Sequence, residues 1–156
     1  MIRLKIPGAE SLELRSVLAD FNGTLAVDGR ISAGVRKRLE ALAAKVRMVV
    51  ATADTFGTVG AEIALPGVEV RTLTAGFQSA QKEKILEQLG PEATVAIGNG
   101  VNDHRMVARA ALGIVVLGPE GAAWDTLRRA RVVVPSAEDA LDLLLEPRRL
   151  VATLRD

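Results

Sequence analysis

Three short stretches carry residue types suited to chemistry on a phosphoryl group, and each closes an apolar run. "SVLADFNGT" puts Asp20 after four residues that read as buried, with Asn22, Gly23 and Thr24 behind it. "VVATAD" brings Thr52, Ala53 and Asp54 to the end of a second run, and "AIGNGVNDHRM" sets Asn99 and Asp103 around two glycines. A helical stretch between them, "QKEKILEQLG", holds Lys82 and Lys84. A carboxylate at a strand tip can attack phosphorus in line and form an aspartyl phosphate. Such an attack brings two anions together, so it needs a cation and hydrogen-bond donors around the phosphate. Mg²⁺ takes oxygen ligands in an octahedron and keeps several waters. Asp20, a backbone carbonyl in the "FNG" turn and side-chain oxygens from "GNGVND" are donors of that kind. Thr52 can hydrogen-bond a phosphoryl oxygen, and either lysine can neutralise its charge. Plainer readings exist for each residue. Asn22-Gly23 is a two-residue hairpin signal, Asp20 could be a solvated strand end, and helix lysines are usually solvated.

Elements of the right kind surround these residues. Residues 15–20, 46–53, 68–73, 94–99, 112–118 and 131–135 are β-branched runs that read as buried strands. Between them, residues 32–46, 79–90, 101–111, 121–130 and 136–147 show helical spacing, with Ser32, Ser79 and Ser136 as N-caps and Gly90 as a stop. Alternation of strand and helix predicts an α/β, three-layer, Rossmann-like domain over residues 1–156 with a mainly parallel central sheet. "IRLKI" and "SLELR" predict an extra N-terminal strand pair at one edge. In such a sheet ligands bind beyond the carboxyl ends of the strands. Asp20, Thr52 and Asn99 all fall there.

Composition narrows the function classes. The formal net charge is +1, and three Phe, one Trp and no Tyr make a poor base-stacking surface, so no nucleic-acid partner is expected. No Cys and a single His exclude thiolate catalysis and a cysteine- or histidine-built metal site. No apolar run reaches the roughly 18 residues of a membrane span, and the start resembles no signal peptide, so the expected location is the cytoplasm without a membrane partner.

Taken together, the motifs resemble those of the haloacid dehalogenase-like phosphotransferase superfamily, most closely its small soluble group similar to the phosphorylation domain of P-type ATPases. "DFNGT" matches the first motif, "VVATAD" the second, Lys82 the third and "GNGVNDHRM" the fourth. Lys84 is the alternative for the third. The resemblance implies catalytic roles for Asp20, Asn22, Thr52 and Lys82. It implies phosphate binding by Asp20, Gly23, Thr52, Ala53 and Lys82, and Mg²⁺ coordination by Asp20, Asn22, Asn99 and Asp103. It also makes the Asn-Gly part of an active-site turn, followed by a flap at about residues 24–31 with Asp28-Gly29 at its tip. The intervals from Thr24 to Thr52 and from Thr52 to Lys82 are too short for a cap or nucleotide domain, so the cleft is expected to be open.

Two residues depart from the pattern. Asn22 stands where most phosphatases of the superfamily carry a general acid and base, and Asn99 where a carboxylate ligand is usual. An amide has no proton to trade near neutral pH, and general acid–base help is worth roughly 10²–10⁴ in rate. The expected activity is therefore slow Mg²⁺-dependent hydrolysis of a phosphomonoester or acyl phosphate, on a small phosphorylated substrate or a phosphoprotein. Two other readings remain. One is a phosphate- or metal-binding regulatory module without turnover, and the other is an interaction subunit. A homo-oligomer covering the open cleft is expected by family analogy. Asp54 reads equally as an N-cap for a segment starting at Phe56, and Thr55 and Phe56 are candidate substrate contacts. Asn102 is expected to serve loop hydrogen bonding, His104 a helix surface, and Trp124 core packing or an interface. The terminal "EPRRLVATLRD" is expected to be solvated, with Arg148 and Arg149 available to a partner.

Overall fold

Strands buried on both faces need helices above and below, and the chain supplies them in strict alternation. The computed structural model describes residues 1–53 and 59–156, so Asp54, Thr55 and Phe56 lie outside the described residues. Strands β1 (Ile2–Leu4) and β2 (Leu12–Leu14) pair antiparallel as a separate two-stranded sheet. The remaining order is β3 (Ser16–Asp20), α1 (Ala33–Ala43), β4 (Arg47–Thr52), α2 (Val59–Glu62), β5 (Val68–Thr72), α3 (Gln78–Leu89), β6 (Thr94–Gly98), α4 (His104–Arg109), β7 (Leu112–Val116), α5 (Trp124–Leu127), β8 (Val132–Val134), α6 (Ala137–Leu145) and α7 (Pro147–Leu154).

Six of the strands form one parallel sheet in the order β5-β4-β3-β6-β7-β8. From β3 the chain winds outward through β4 and β5, then crosses to β6 and winds the other way. The order reverses between β3 and β6, and that is where a crevice opens in such sheets. Side chains alternate faces along each strand. Val17 and Ala19 join the apolar layer containing Leu39, Leu141 and Leu144 of α1 and α6. Leu18 joins the opposite layer, with Ile85 and Leu86 of α3 and Met106 of α4. Asp20 shares the parity of Leu18, so its carboxyl is aimed at the α3 side.

Ser32 and Ser136 cap α1 and α6 as their positions predict, each accepting a backbone N–H three residues on. Ser79 does not cap α3. That helix starts two residues earlier than a Ser79 cap would set, after Phe77 in the left-handed region (φ 49°), and Gly90 ends it. Residues 101–111 split into a tight turn, Val101–Asp103, and α4. In the segment 121–130 only Trp124–Leu127 is α-helical. Trp124 is not in the core, being 72% exposed. The terminal segment is not simply solvated either. It forms the amphipathic α7, whose Leu150 is fully buried in the layer that holds Ile2 and Leu4 of β1. Among the described residues, no helix is long and apolar enough to cross a membrane.

The turn after β3 is not a simple hairpin. Phe21 O accepts the N–H groups of Leu25 and Ala26 at 3.0 and 2.9 Å, and Gly23 N–H donates to Ala26 O. The hairpin comes next. Asp28 and Gly29 both have positive φ (51° and 76°), and Val27 and Arg30 exchange both backbone bonds, as a two-residue type I′ turn requires.

Candidate active site

Burial of Asp20 at a strand tip needs compensation, and α3 provides it. Lys82 lies on the inward face of α3 with its side chain fully buried, while Lys84 points to solvent. The Lys82 ammonium donates to Asp20 Oδ1 at 2.5 Å and to Asp103 Oδ1 at 2.6 Å. Asp103 is itself fully buried, and its other oxygen accepts the backbone N–H groups of Asn99 and Gly100 at 2.9 and 3.0 Å. One carboxylate thus ties the loop after β6 to the lysine on α3. Gly98 makes the approach feasible, since a Cβ there would fall 2.5 Å from Asp103 Cβ.

Thr24, also buried, closes the other side. Its hydroxyl lies 3.2 Å from Asp20 Oδ2 and 3.0 Å from Asn99 Oδ1. The single hydroxyl hydrogen serves one acceptor at a time. Asn99 is oriented by its amide N–H, which donates to Gly121 O at 3.1 Å and leaves Oδ1 facing Thr24 and Asp20.

Electrostatics follow from this packing. Burial, and then the neighbouring Asp103, push the Asp20 pKa up to about 7, against the opposing pull of Lys82 and Thr24. Burial alone would lower the Lys82 pKa, but its two carboxylate partners outweigh that and raise it. Two acids share one ammonium, so this buried cluster carries an excess negative charge when all three groups are ionised.

A polar cleft of about 270 Å³ opens over the cluster, lined by Asp20, Asn22, Thr52, Ala53, Asn99 and Glu120 among others. Asp20, Asn22, Thr52, Ala53 and Asn99 thus meet at one mouth. Lys82 and Asp103 sit beneath it, and Gly23 lies beside Asn99 with its φ at +77°. Asn102 donates to Gln78 Oε1, so it serves loop bonding as expected. His104 is half-buried and keeps its Nδ1 against Val101 O.

Glu120 was not legible as a site residue in the sequence. It stands in a turn four residues past the end of β7, closed by the bond from Gly121 N–H to Gly118 O, and that turn folds over the same sheet rim. Gln78 of α3 also lines the cleft. The only signal for either was position after or before a strand-end loop.

The donor set suits a hard cation held through few carboxylates. Among the described residues, no three His, Cys, Asp or Glu side chains converge on one point. Mg²⁺ is bound through one or two carboxylates with other oxygens and waters, and oxygen atoms of Asp20, Asn22, Asn99 and Glu120 at one mouth fit that pattern.

No family model matches the chain. Among sequence relatives, it is 47% identical over 85 residues to uncharacterized protein MJ0073 of Methanocaldococcus jannaschii, spanning 52% of this chain and 91% of that protein. A second protein of that organism, MJ0072, is 44% identical over 39 residues, 25% of this chain and 89% of its own length. Solved structures with a similar fold include a probable YrbI family phosphatase of Pseudomonas syringae pv. phaseolica, with a TM-score of 0.70 at 16% identity over 92% of this chain and 94% of that one. The 3-deoxy-D-manno-octulosonate 8-phosphate phosphatase of Moraxella catarrhalis, solved with magnesium, phosphate and the sugar acid, gives 0.67 at 16% identity, covering 91% and 94%. A haloacid dehalogenase-like hydrolase of Bacteroides thetaiotaomicron gives 0.65 at 13% identity, covering 83% and 99%.

Proposed function

Because the chain belongs to one family with MJ0073 and has the haloacid dehalogenase-like fold, we propose that it is a divalent-metal-dependent phosphatase working through an aspartyl phosphate on Asp20. The observation that carries this reading is the buried contact of Asp20 with Lys82 and Thr24 at the rim where Thr52 and Asn99 meet it. In the reaction, an Asp20 carboxylate oxygen attacks phosphorus and the bond to the leaving oxygen breaks with its electron pair. Water then attacks the phosphorus of the acyl phosphate, releasing inorganic phosphate and the Asp20 carboxylate. Thr52 and the backbone around Ala53 and Gly23 hydrogen-bond the phosphoryl oxygens. Lys82 neutralises charge at the nucleophile and at the phosphoryl group. A divalent cation such as Mg²⁺, when bound, would supply positive charge that offsets the repulsion between the two anions.

Asp20, Asn99 Oδ1 and the Asn22 carbonyl would hold that ion. Asp103 has one oxygen occupied by two backbone N–H groups and the other by Lys82. Its role in this reading is to position the lysine and the loop, and any contact with the ion is secondary. Asn22 cannot protonate a leaving group, so the favoured substrates are those whose leaving group needs no proton, acyl phosphates and aryl phosphates.

Acetyl phosphate and p-nitrophenyl phosphate, assayed with and without Mg²⁺, test the proposal. Turnover that requires the metal and disappears in a folded Asp20→Asn variant is expected. A second reading, a phosphate-binding module without turnover, draws on the amides at Asn22 and Asn99. A beryllofluoride adduct at Asp20 with no hydrolysis of either substrate would select it.

A further inference from the structure

Position 99 carries an amide, and a glutamate from another loop lines the same cleft. Gly23 marks the place. A Cβ on Gly23 would fall 2.3 Å from Glu120 Oε2 and 2.7 Å from Asn99 Nδ2, so both groups crowd one point beside the nucleophile's turn. Glu120 and Asn99 also line the same cleft as Asp20 and Asn22. The turn carrying Glu120 is fastened to Asn99 twice, through Asn99 Nδ2 to Gly121 O at 3.1 Å and Ala123 N–H to Asn99 O at 2.8 Å. The backbone of this turn is therefore fixed beside Asn99, while the Glu120 side chain is exposed at the cleft.

An aspartate at 99 would face Glu120 across this gap, and two like charges so close repel. An amide there removes the repulsion. We propose that Glu120 is the second carboxylate of the cation site, having taken over the charge that Asn99 does not carry, with Asn99 as its neutral neighbour. The inference rests on the metal-dependent reading above and deepens it. Asp20 and Glu120 then supply the two anionic ligands, and Asn99 Oδ1 and the Asn22 carbonyl supply neutral ones, a donor set that Mg²⁺ or Mn²⁺ accepts.

The test is direct binding of Mn²⁺ to the full chain, followed by electron paramagnetic resonance with Mg²⁺ as competitor, so that no turnover is needed. Glu120→Gln, which keeps the size of an exposed side chain, is expected to weaken the ion by about tenfold or more. Asn99→Asp in that background is expected to recover most of the loss, and Asn99→Asp alone to gain less than it does there. Thermal melts of the metal-free variants establish that each is folded. If Glu120→Gln binds as the parent does while Asp20→Ala loses the ion, the assignment of Glu120 is overturned and the metal site stands. If the parent itself binds neither ion at millimolar concentration, the underlying reading is overturned with it.

Discussion

The ammonium of Lys82 lies 2.5 Å from Asp20 Oδ1 with almost no solvent reaching either side chain. A buried pair broken on one side leaves an uncompensated charge, which is strongly destabilising at about 3–5 kcal/mol. Here the loss is larger in kind, because Asp103 shares the same ammonium.

Lys82→Met should therefore lower unfolding free energy by about 3–5 kcal/mol and abolish acetyl phosphate turnover. Urea unfolding at pH 8 measures the first. A stable and active variant would remove Lys82 from the site.

Replacing Asn22 by aspartate returns an acid to the cleft mouth. Turnover of phosphomonoesters with poor leaving groups should rise by roughly 10²–10⁴, while acetyl phosphate should gain little. Steady-state rates on both substrates check the contrast, and an equal gain on both would contradict the proton-transfer account.

The pH dependence of stability has a definite sign. Asp20 sits at about 7 when folded, against an ordinary value of 3.8. Below the lower value both states carry the proton. Between the two, the folded chain keeps a proton that the unfolded chain has released, so raising the pH favours unfolding. Above about 7 the penalty is complete. The melting temperature of the metal-free protein relative to Asp20→Asn should fall from about pH 4 to about pH 7 and level off above that. Calorimetry across that window decides, and a flat difference would contradict the burial of a charged Asp20.

Gly98→Ala should destabilise by about 1–3 kcal/mol through overpacking, because its new methyl meets Asp103 Cβ at 2.5 Å. Asp103 would be displaced from the loop amides and from Lys82, so beryllofluoride binding should weaken as well. An unchanged melt would mean that the loop yields without strain.

Leu150→Ala tests the terminal helix. Leu150 is fully buried in the layer that includes β1, and a buried Leu→Ala change costs about 2–5 kcal/mol. Chemical unfolding measures it, and a neutral result would mean that α7 contributes no packing.

The core of the fold was legible because parallel strands buried on both faces have near-continuous apolar runs rich in β-branched residues, as at 94–99 and 112–118. Asp20, Thr52 and Asn99 were legible as rim residues for the same reason, since each ends such a run. The choice between Lys82 and Lys84 was less so, because residues two apart on a helix face nearly opposite ways and only the packing shows which way is inward. Ser79 misled because Phe77, in the left-handed region, starts α3 earlier without any side-chain cap. The terminal helix was missed because its charged residues, Arg148 and Arg149, dominate a segment whose packing rests on Leu150 with Val151 and Leu154 beside it. Glu120 had no local signal beyond its place after a strand-end loop. Its position follows from the β7 turn meeting the β3 turn, which joins residues far apart in the chain.

The alternation along β3 has a consequence for how this sequence can change. Leu18 and Asp20 face α3 while Val17 and Ala19 face α1 and α6, and partners on both sides hold that register. Apolar exchanges inside the strand leave the aim of residue 20 untouched, whereas deleting or inserting one residue ahead of it would swing the acid to the opposite layer. Divergence in this segment can proceed by substitution but not by change of length.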